Sequence, residues 1–173
     1  MFEKLLDLLV GGWHRLCPLE IIEAYNHGVV LRFGVYNRTL EPGLHWKWPV
    51  AEDVVSVLSC VTTLPLAPQT LTTKDDKSVV VAAIVKYQIS KPEAYVTDIW
   101  DQKDVLADVS MGAVQQAVSA ATYAELVAAP PEDKILKAVR KETLRYGFDV
   151  LKVTFTDIGK IRSVRLIQAQ RAD

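Results

Sequence analysis

The side chains in this 173-residue chain that could perform chemistry are few and lie far apart in the sequence. The histidines are His14, His27 and His45, and the cysteines are Cys17 and Cys60. A zinc site needs three or four ligands at short, paired spacings, and the His14–Cys17 pair has no second half. Asp75 and Asp76 are adjacent carboxylates, but lysines flank them in a predicted turn, which favours a solvated hairpin tip. Cys60 lies in an apolar run without a basic neighbour, so we expect a buried thiol and not a nucleophile.

Features of the whole sequence also argue against an enzyme or a nucleic-acid-binding protein. The sequence contains no Gly-x-Ser-x-Gly nucleophile motif, no Walker phosphate-binding loop and no dinucleotide-binding fingerprint. It has 20 Lys and Arg residues and 21 Asp and Glu residues, and the formal charge of −1 gives no overall field that would hold DNA or RNA. We therefore predict no catalytic, cofactor-binding or metal-binding residue, no enzymatic activity and no nucleic-acid partner.

The first 18 residues have an amphipathic pattern and not a membrane-spanning one. Charged residues interrupt the apolar sequence, and its longest uncharged run, residues 8–14, is far shorter than the roughly 20 residues that a spanning helix needs. At a helical period, one face carries the large apolar side chains: Phe2, Leu5, Leu6, Leu9, Trp13 and Leu16. This face could pack on the protein's own core or on a neighbouring subunit. It could also lie in the membrane interface, with Trp13 at the level of the headgroups.

A second apolar group lies in the sequence GLHWKWP, residues 43–49, directly after a proline-glycine turn. On an extended strand, Leu44, Trp46 and Trp48 point to one side, and His45 and Lys47 point to the other. Tryptophan suits the bilayer interface because its large ring is apolar while its indole N–H can stay near water or headgroups. The alternative is that these rings cover the small sheet to which the strand belongs.

The elements that must position these residues are mainly strands at first and helices later. Residues 19–71 have an extended pattern rich in β-branched and aromatic residues. The almost continuously apolar residues 79–85 predict a central strand covered on both faces. Asp101 and Asp104, at capping-box spacing, predict a helix to about residue 121. Pro130 and Pro131 predict the start of a second helix that ends at Gly147.

Two further elements complete the predicted fold. The sequence TYAE, residues 122–125, predicts a one-turn helix with its own capping box between the two main helices. Residues 148–157 then return to a strand pattern. The expected fold class is α+β, with an N-terminal mainly β part followed by a mixed part that has two main helices and a returning strand.

Several segments together resemble the SPFH domain, the module shared by stomatins, prohibitins and flotillins and also called the prohibitin-homology or band 7 domain. The segments that carry the resemblance are GVVLRFG (28–34), TLEPGLHW (39–46) with Pro49, LTTKD (71–75), the strand at 79–87, AEL (124–126), YGFDV (146–150) and DI (157–158). The resemblance covers about residues 20–160. It implies an SPFH-type α+β domain that oligomerises on a membrane, often as a closed ring, and organises lipids or regulates membrane proteins. In bacterial relatives the regulated partner is commonly a membrane-anchored AAA+ protease.

The resemblance also implies a division of the chain. We expect an amphipathic segment at 1–18, an SPFH domain at 19–159 and a short basic helical tail at 160–173, with the mainly β part of the domain at 19–72 and the α+β part at 73–159. Family members usually carry a transmembrane helix or hydrophobic hairpin before the domain and a long coiled coil after it. This sequence shows only the amphipathic segment and stops at Asp173. The family's membrane-proximal turn corresponds to residues 41–49, and Cys17 becomes a candidate acylation site.

Three functional hypotheses follow from these observations. The first is a non-enzymatic scaffold, peripheral or monotopic on the cytoplasmic face of a membrane, that forms a homo-oligomeric ring or patch. Its predicted membrane contacts are the apolar residues of the first segment together with Leu44, Trp46 and Trp48, and its lateral contacts are strand edges, the helix at 101–121 and the basic tail. The second is a regulatory adaptor of a membrane-anchored AAA+ protease. The third is a soluble structural component, for instance of a viral particle.

Overall fold

The computed structural model describes residues 18–98 and 100–161, in which strands come first and helices and a returning strand come later. The strands are β1 (Leu19–Ile22), β2 (Asn26–Arg32), β3 (Val35–Leu40), β4 (Gly43–Trp46), β5 (Glu52–Leu58), β6 (Thr62–Pro65), β7 (Gln69–Thr72), β8 (Ser78–Ile89) and β9 (Phe148–Lys160). The helices are α1 (Pro92–Thr97), α2 (Gln102–Ser119), α3 (Tyr123–Ala128) and α4 (Glu132–Thr143). The predicted α+β class is confirmed.

The first part of the chain forms two small antiparallel sheets, one with the order β3-β2-β5 and one that pairs β1 with β4. Their shared core consists of Ile22, Val30 and Leu40, with Val54 packed against it. His27 and Gly28 both lie inside β2 and do not form a turn. Glycine at position 28 permits close packing, because a Cβ there would lie 2.9 Å from Cδ1 of Ile22 and 3.2 Å from Cβ of Leu40, so that these neighbours would have to shift.

The main sheet is built around β8, which pairs with β6 and β7 along one edge and with β9 along the other. Alternate residues of β8, from Val79 to Ile89, are buried, whereas Val80 and Ile84 on the opposite face are half-buried. The prediction of a central strand is confirmed, and the prediction of full cover on both faces is wrong. Because β6 and β7 belong to the sheet of β8, the boundary predicted at residue 72 divides one sheet, and the domain division stays a prediction.

Helix ends follow the sequence signals in three of four cases, and α4 begins at Glu132, directly after Pro130 and Pro131. At α3 the capping box is present: Glu125 N donates to Thr122 Oγ1 at 3.4 Å, and Thr122 N donates to Glu125 Oε2 at 2.9 Å. Gly147 ends the turn after α4 with φ +83°, as predicted. The prediction of a capping box at the start of α2 is wrong, because Asp101 has φ −115° and ψ 82° and its side chain makes no capping hydrogen bond.

Two smaller predictions are corrected by the structure, and one short helix was missed. Helix α1 was not predicted, since its six residues are too few to show a helical period. Cys60 is exposed and not buried, because β5 ends at Leu58 and the cysteine lies in the bend that follows. Strand β9 continues to Lys160, so the predicted tail cannot begin there. The rest of the tail, 162–173, lies outside the described residues.

The predicted hairpin tip at Asp75 is confirmed as a turn, and its carboxylate also accepts a hydrogen bond from the start of a helix. Lys77 Nζ lies 2.6 Å from Asp75 Oδ2, and Thr73 Oγ1 donates to Asp75 Oδ1 at 2.6 Å. Tyr123 N, at the start of α3, donates to the same Oδ1 at 3.1 Å. These partners, Lys77 foremost, hold the pKa of Asp75 well below its usual range. The carboxylate therefore joins the β7–β8 turn to α3 and is engaged structurally.

Candidate functional site

The two-stranded sheet of β1 and β4 presents an exposed apolar face. Leu19 lies directly opposite Trp46, and Ile21 lies directly opposite Leu44, so that all four side chains share one face. Their exposed fractions are 47% for Leu19, 61% for Trp46, 74% for Ile21 and 63% for Leu44. Ile22, on the opposite face, is buried in the small core. The alternative in which Leu44 and Trp46 cover the protein's own sheet is therefore wrong for this chain.

Trp48 lies beyond the end of that sheet. Strand β4 ends at Trp46, so the expectation of one strand that carries both tryptophans is wrong. The chain turns instead, since Glu52 N donates to Trp48 O at 3.0 Å. The Trp48 ring is nevertheless 61% exposed, and it does not cover the sheet either.

Two exposed apolar residues that the sequence analysis did not select lie beside Trp48. Phe33, in the β2–β3 turn, is 81% exposed, and Val50 is 91% exposed. Phe33 N donates to Ala51 O at 3.0 Å, which joins this turn to the segment after Trp48. Phe33 and Trp48, with Arg32 and Ala51, line a shallow groove of about 270 Å³.

Both of these residues have backbone conformations that cost free energy. Phe33 has φ 51° and Val50 has φ 73°, in the left-handed region that β-branched and bulky residues rarely adopt. Such strain persists where the surroundings impose it, and it concentrates at functional positions. Phe33 and Gly34, both with positive φ, form the two-residue turn that favours Asn-Gly, so an aromatic residue at its tip is unusual. The signal available in the sequence was this glycine between two strand-like runs.

We call the exposed apolar residues of this region the apolar corner. It consists of Leu19, Ile21, Phe33, Val35, Leu44, Trp46, Trp48 and Val50.

A buried carboxylate holds the corner in place. The Glu52 side chain is fully buried and accepts hydrogen bonds from Arg32 Nη2 at 2.8 Å, Arg38 Nη2 at 3.1 Å and Trp48 N at 3.1 Å. Arg38 Nη2 also donates to Trp46 O at 2.9 Å. One carboxylate thus connects β2, β3 and the turn that carries Trp48.

The charges around Glu52 do not cancel. The backbone N–H of Trp48 is the largest influence that lowers the pKa of Glu52, followed by the hydrogen bond from Arg32 and the charge of Arg38, while burial opposes them. The carboxylate is therefore ionised at neutral pH. Two guanidinium groups, 47% and 38% exposed, share this one negative charge, and the cluster retains one net positive charge beside the apolar corner.

The polar residues of the GLHWKWP sequence point away from the apolar face. Lys47 Nζ pairs with Glu20 Oε2 at 2.5 Å, and only 16% of the lysine side chain is exposed. His45 Nε2 lies 2.7 Å from Glu41 O. Lys47 N donates to Pro18 O at 2.7 Å, so the point at which residues 1–17 join the described chain lies beside Trp46.

The predicted contacts of the first segment lie outside the described residues: Phe2, Leu5, Leu6, Leu9, Trp13 and Leu16, together with the candidate acylation site Cys17. They stay predictions. Within residues 18–98 and 100–161, no three His, Cys, Asp or Glu residues are grouped so that they could hold a metal ion. In the same part of the chain, every helix is too short or too polar to cross a bilayer.

Comparison with known proteins identifies relatives of this arrangement. The model of the SPFH domain / Band 7 family matches residues 20–170. The chain is 26% identical over 168 residues to an uncharacterized protein of Archaeoglobus fulgidus, an alignment that covers 96% of this chain and 68% of that protein. It is 32% identical over 117 residues to Protein HflK of Vibrio cholerae, which covers 68% of this chain and 29% of that protein. It is 31% identical over 98 residues to the Modulator of FtsH protease HflK of Escherichia coli, which covers 56% of this chain and 23% of that protein.

Proposed function

This chain belongs to the SPFH domain / Band 7 family, and from that premise we propose that it is a non-enzymatic scaffold that binds a membrane through the apolar corner and assembles there with further copies of itself. The chain spans less than a third of the HflK proteins of Vibrio cholerae and Escherichia coli, so the activity of those whole proteins is a proposal for this one. The observation that carries the membrane assignment is the apolar corner itself.

The composition of the corner favours lipid as its partner. The eight apolar side chains of the corner are all exposed, four of them on one sheet face and Phe33 and Trp48 around one groove, and exposed apolar groups that are not scattered singly mark interaction surfaces. Two of the eight are tryptophans, which are enriched at membrane–water interfaces. The net positive charge of the Arg32, Arg38 and Glu52 cluster lies next to them, where it would attract the phosphates of anionic headgroups.

The position of Pro18 supports a second attachment at the same place. Because Pro18 O accepts the hydrogen bond from Lys47 N, Pro18, the last residue of the predicted amphipathic segment 1–18, lies beside the end of β4 that carries Trp46. We propose that the apolar face of this segment, Phe2 to Leu16, binds the same leaflet. Two linked binding elements raise each other's effective concentration, so their combined affinity exceeds that of either one. The proposed location is a peripheral or monotopic one on the cytoplasmic face, since two widely spaced cysteines suit a reducing compartment.

Vesicle flotation tests the proposal. The full chain and a form that lacks residues 1–17 are mixed with vesicles of phosphatidylcholine alone or with phosphatidylserine. We expect both forms to float, the full chain more strongly, and anionic vesicles to bind more of each because of the positive cluster. If neither form floats and the chain is a defined oligomer in solution, the membrane function is wrong and the structural component of a particle takes its place.

A second candidate function rests on the HflK relatives, one of which is named a modulator of the FtsH protease. We propose as the alternative that this chain is a regulatory adaptor of a membrane-anchored AAA+ protease. The two functions differ in what triggers assembly. The scaffold forms large assemblies on vesicles alone, whereas the adaptor stays small until a purified membrane-anchored AAA+ protease is added and then changes the rate at which that protease degrades a substrate.

A further inference from the structure

The shallow groove beside Trp48 combines an apolar lining with a single charge. Among the described residues, it is lined by two aromatic residues, Phe33 and Trp48, by Ala51 and by Arg32. Drug-sized ligands occupy pockets of about 300–1,000 Å³, so a groove of about 270 Å³ fits a group of the size of a lipid headgroup and not a whole lipid. The lining therefore suits an anion that carries an apolar part.

Arg32 retains hydrogen-bond donors for such an anion. A guanidinium group has five N–H donors in a planar fork. Arg32 donates from Nε at 3.2 Å and from Nη2 at 2.8 Å, both to Oε1 of Glu52. Within the described part of the chain, its Nη1 makes no hydrogen bond and its Nη2 makes only this one. The outer edge of the fork, with one N–H of each of these nitrogens, can therefore bind two oxygens of one phosphate.

The carboxylate of Glu52 does not cancel the positive charge at the groove. Its side chain is fully buried, and it is held by both guanidinium groups and by the N–H of Trp48. Arg38 is turned towards this carboxylate, since its Nη1 and its Nη2 both donate to Glu52, at 3.3 Å and 3.1 Å. Arg38 thus neutralises Glu52, and the charge of Arg32, which lines the groove, remains available to an anion.

Carboxylates of the neighbouring strands do not oppose an anion at this place. Asp53 follows Glu52 in β5, so its side chain lies on the opposite face of the sheet. Glu20 of β1 is paired with Lys47 Nζ at 2.5 Å. Glu41 follows β3 at the end of that strand far from its pairing with Arg32. The positive charge of the groove is therefore complementary to an anion with one negative charge.

We propose that the groove binds the phosphate of an anionic glycerophospholipid, with two phosphate oxygens on Arg32 and the glycerol end of the lipid between Phe33 and Trp48. This rests on the proposed function and adds a specific headgroup site to it. A lipid is favoured over other anions because both rings belong to the apolar corner, where a lipid supplies the anion and the apolar part together. An anionic headgroup is favoured over phosphatidylcholine, whose trimethylammonium group the arginine repels.

Short-chain lipids below their micelle concentration test the site without a membrane. In a full chain with Trp13→Phe, Trp46→Phe and Trp100→Phe, Trp48 is the only tryptophan, and its emission reports on the groove. Dihexanoyl phosphatidylglycerol should change this emission in a saturable way. Dihexanoyl phosphatidylcholine and inorganic phosphate should each bind at least about 10-fold more weakly, because the first carries a cation and the second has no apolar part.

Two variants in this background change the site in different ways. Arg32→Lys keeps the charge and a donor for Glu52 but loses the fork, so dihexanoyl phosphatidylglycerol should bind about 10-fold more weakly or worse. Ala51→Leu fills the groove without a change of charge and should weaken binding to a similar extent. Arg145→Lys, at an exposed arginine after α4, is the matched control and should bind like its parent. Thermal unfolding checks that each chain is folded, and Ala51→Leu decides if Arg32→Lys is not.

Equal binding of the two short-chain lipids would overturn the proposal, as would unchanged binding by folded Ala51→Leu. Inorganic phosphate that binds as tightly as dihexanoyl phosphatidylglycerol would make the groove a site for a free anion, which also overturns it. Vesicles of phosphatidylcholine separate this proposal from the proposed function, because Arg32→Lys and Ala51→Leu keep the apolar corner and should still float with them. If no short-chain lipid binds while the wild type floats, the headgroup site is wrong and the membrane function stands. If the wild type neither binds nor floats, both are wrong.

Discussion

Replacement of Trp46 and Trp48 by alanine together should greatly weaken membrane binding without unfolding the protein. Each ring is 61% exposed, and since an aromatic side chain offers about 150–250 Å², about 90–150 Å² of each is available to lipid. At about 25 cal/mol per Å², burial of both rings would contribute about 4–8 kcal/mol. Because headgroups keep part of each ring hydrated, we expect about half of this free energy, about 2–4 kcal/mol, to be gained on binding. The partition coefficient of the double variant should therefore be about 30- to 700-fold lower than that of the wild type.

The double variant should remain folded because both positions keep their backbone contacts. Arg38 still donates to the carbonyl of residue 46, and the N–H of residue 48 still donates to Glu52. Surface substitutions of this kind change stability by about 0.5 kcal/mol, which corresponds to about 2 °C in Tm for a chain of this size.

The assay is partitioning into anionic vesicles, read by sedimentation at increasing lipid, with thermal unfolding measured in parallel. Tyr25→Ala is the matched control, since Tyr25 is an exposed aromatic residue near the opposite end of β2, away from the Arg32 end that carries the corner. It should leave partitioning unchanged. Unchanged partitioning of the double variant would refute the reasoning, and so would a large fall in its Tm, which would mean that the rings are part of the core.

The remaining predictions concern the support of the corner and the fold. Glu52→Gln should remove part of the loss of stability in acid. Because folding lowers the pKa of Glu52, its carboxylate stabilises the fold above the unfolded pKa of about 4.3, and this stabilisation is lost as the pH falls through the folded pKa. Thermal unfolding of both chains from neutral to acid pH measures the difference. Val50→Gly should relieve the strain of φ 73°, raise stability by about 0.5–1 kcal/mol in urea unfolding and yet weaken vesicle binding. Gly147 and Gly34 have nearly the same φ, 83° and 81°. Replacement by alanine would place the new Cβ 2.3 Å from a backbone carbonyl oxygen at position 147, whereas at position 34 the Cβ would meet no atom within 4 Å. Urea unfolding should therefore show a loss of about 1–2 kcal/mol for Gly34→Ala and a clearly larger loss for Gly147→Ala, and equal losses would contradict the contact.

The parts of the fold that could be predicted from sequence depend on local signals. Two helix ends could be predicted because the residues that form them are neighbours in the sequence. Thr122 and Glu125 form the capping box of α3, and Gly147 ends the turn after α4. The apolar run of β8 predicts a central strand, because this pattern also lies in consecutive residues. The capping box predicted at Asp101 fails because the backbone there adopts another conformation, which residue types do not encode.

The candidate site was predicted only in part, because its remainder depends on contacts between distant residues. The alternation in β4 gave the direction of Leu44 and Trp46 relative to His45. The exposure of Phe33 and Val50 depends on how the β2–β3 turn meets the segment before β5. The burial of Glu52 depends on two arginines that lie 14 and 20 residues earlier in the chain. A glutamate at the start of an apolar strand reads as a solvated residue until those partners are known.

Fluorescence quenching by lipids brominated at known acyl-chain depths tests directly whether the apolar corner enters a membrane. In a full chain with Trp13→Phe and Trp100→Phe, only Trp46 and Trp48 fluoresce. On anionic vesicles we predict a shift of their emission to shorter wavelength and the strongest quenching by bromines near the headgroup end of the acyl chains. Emission that stays unshifted and unquenched while the chain is bound to the vesicles would show that the corner faces water, and the account of this surface would be wrong.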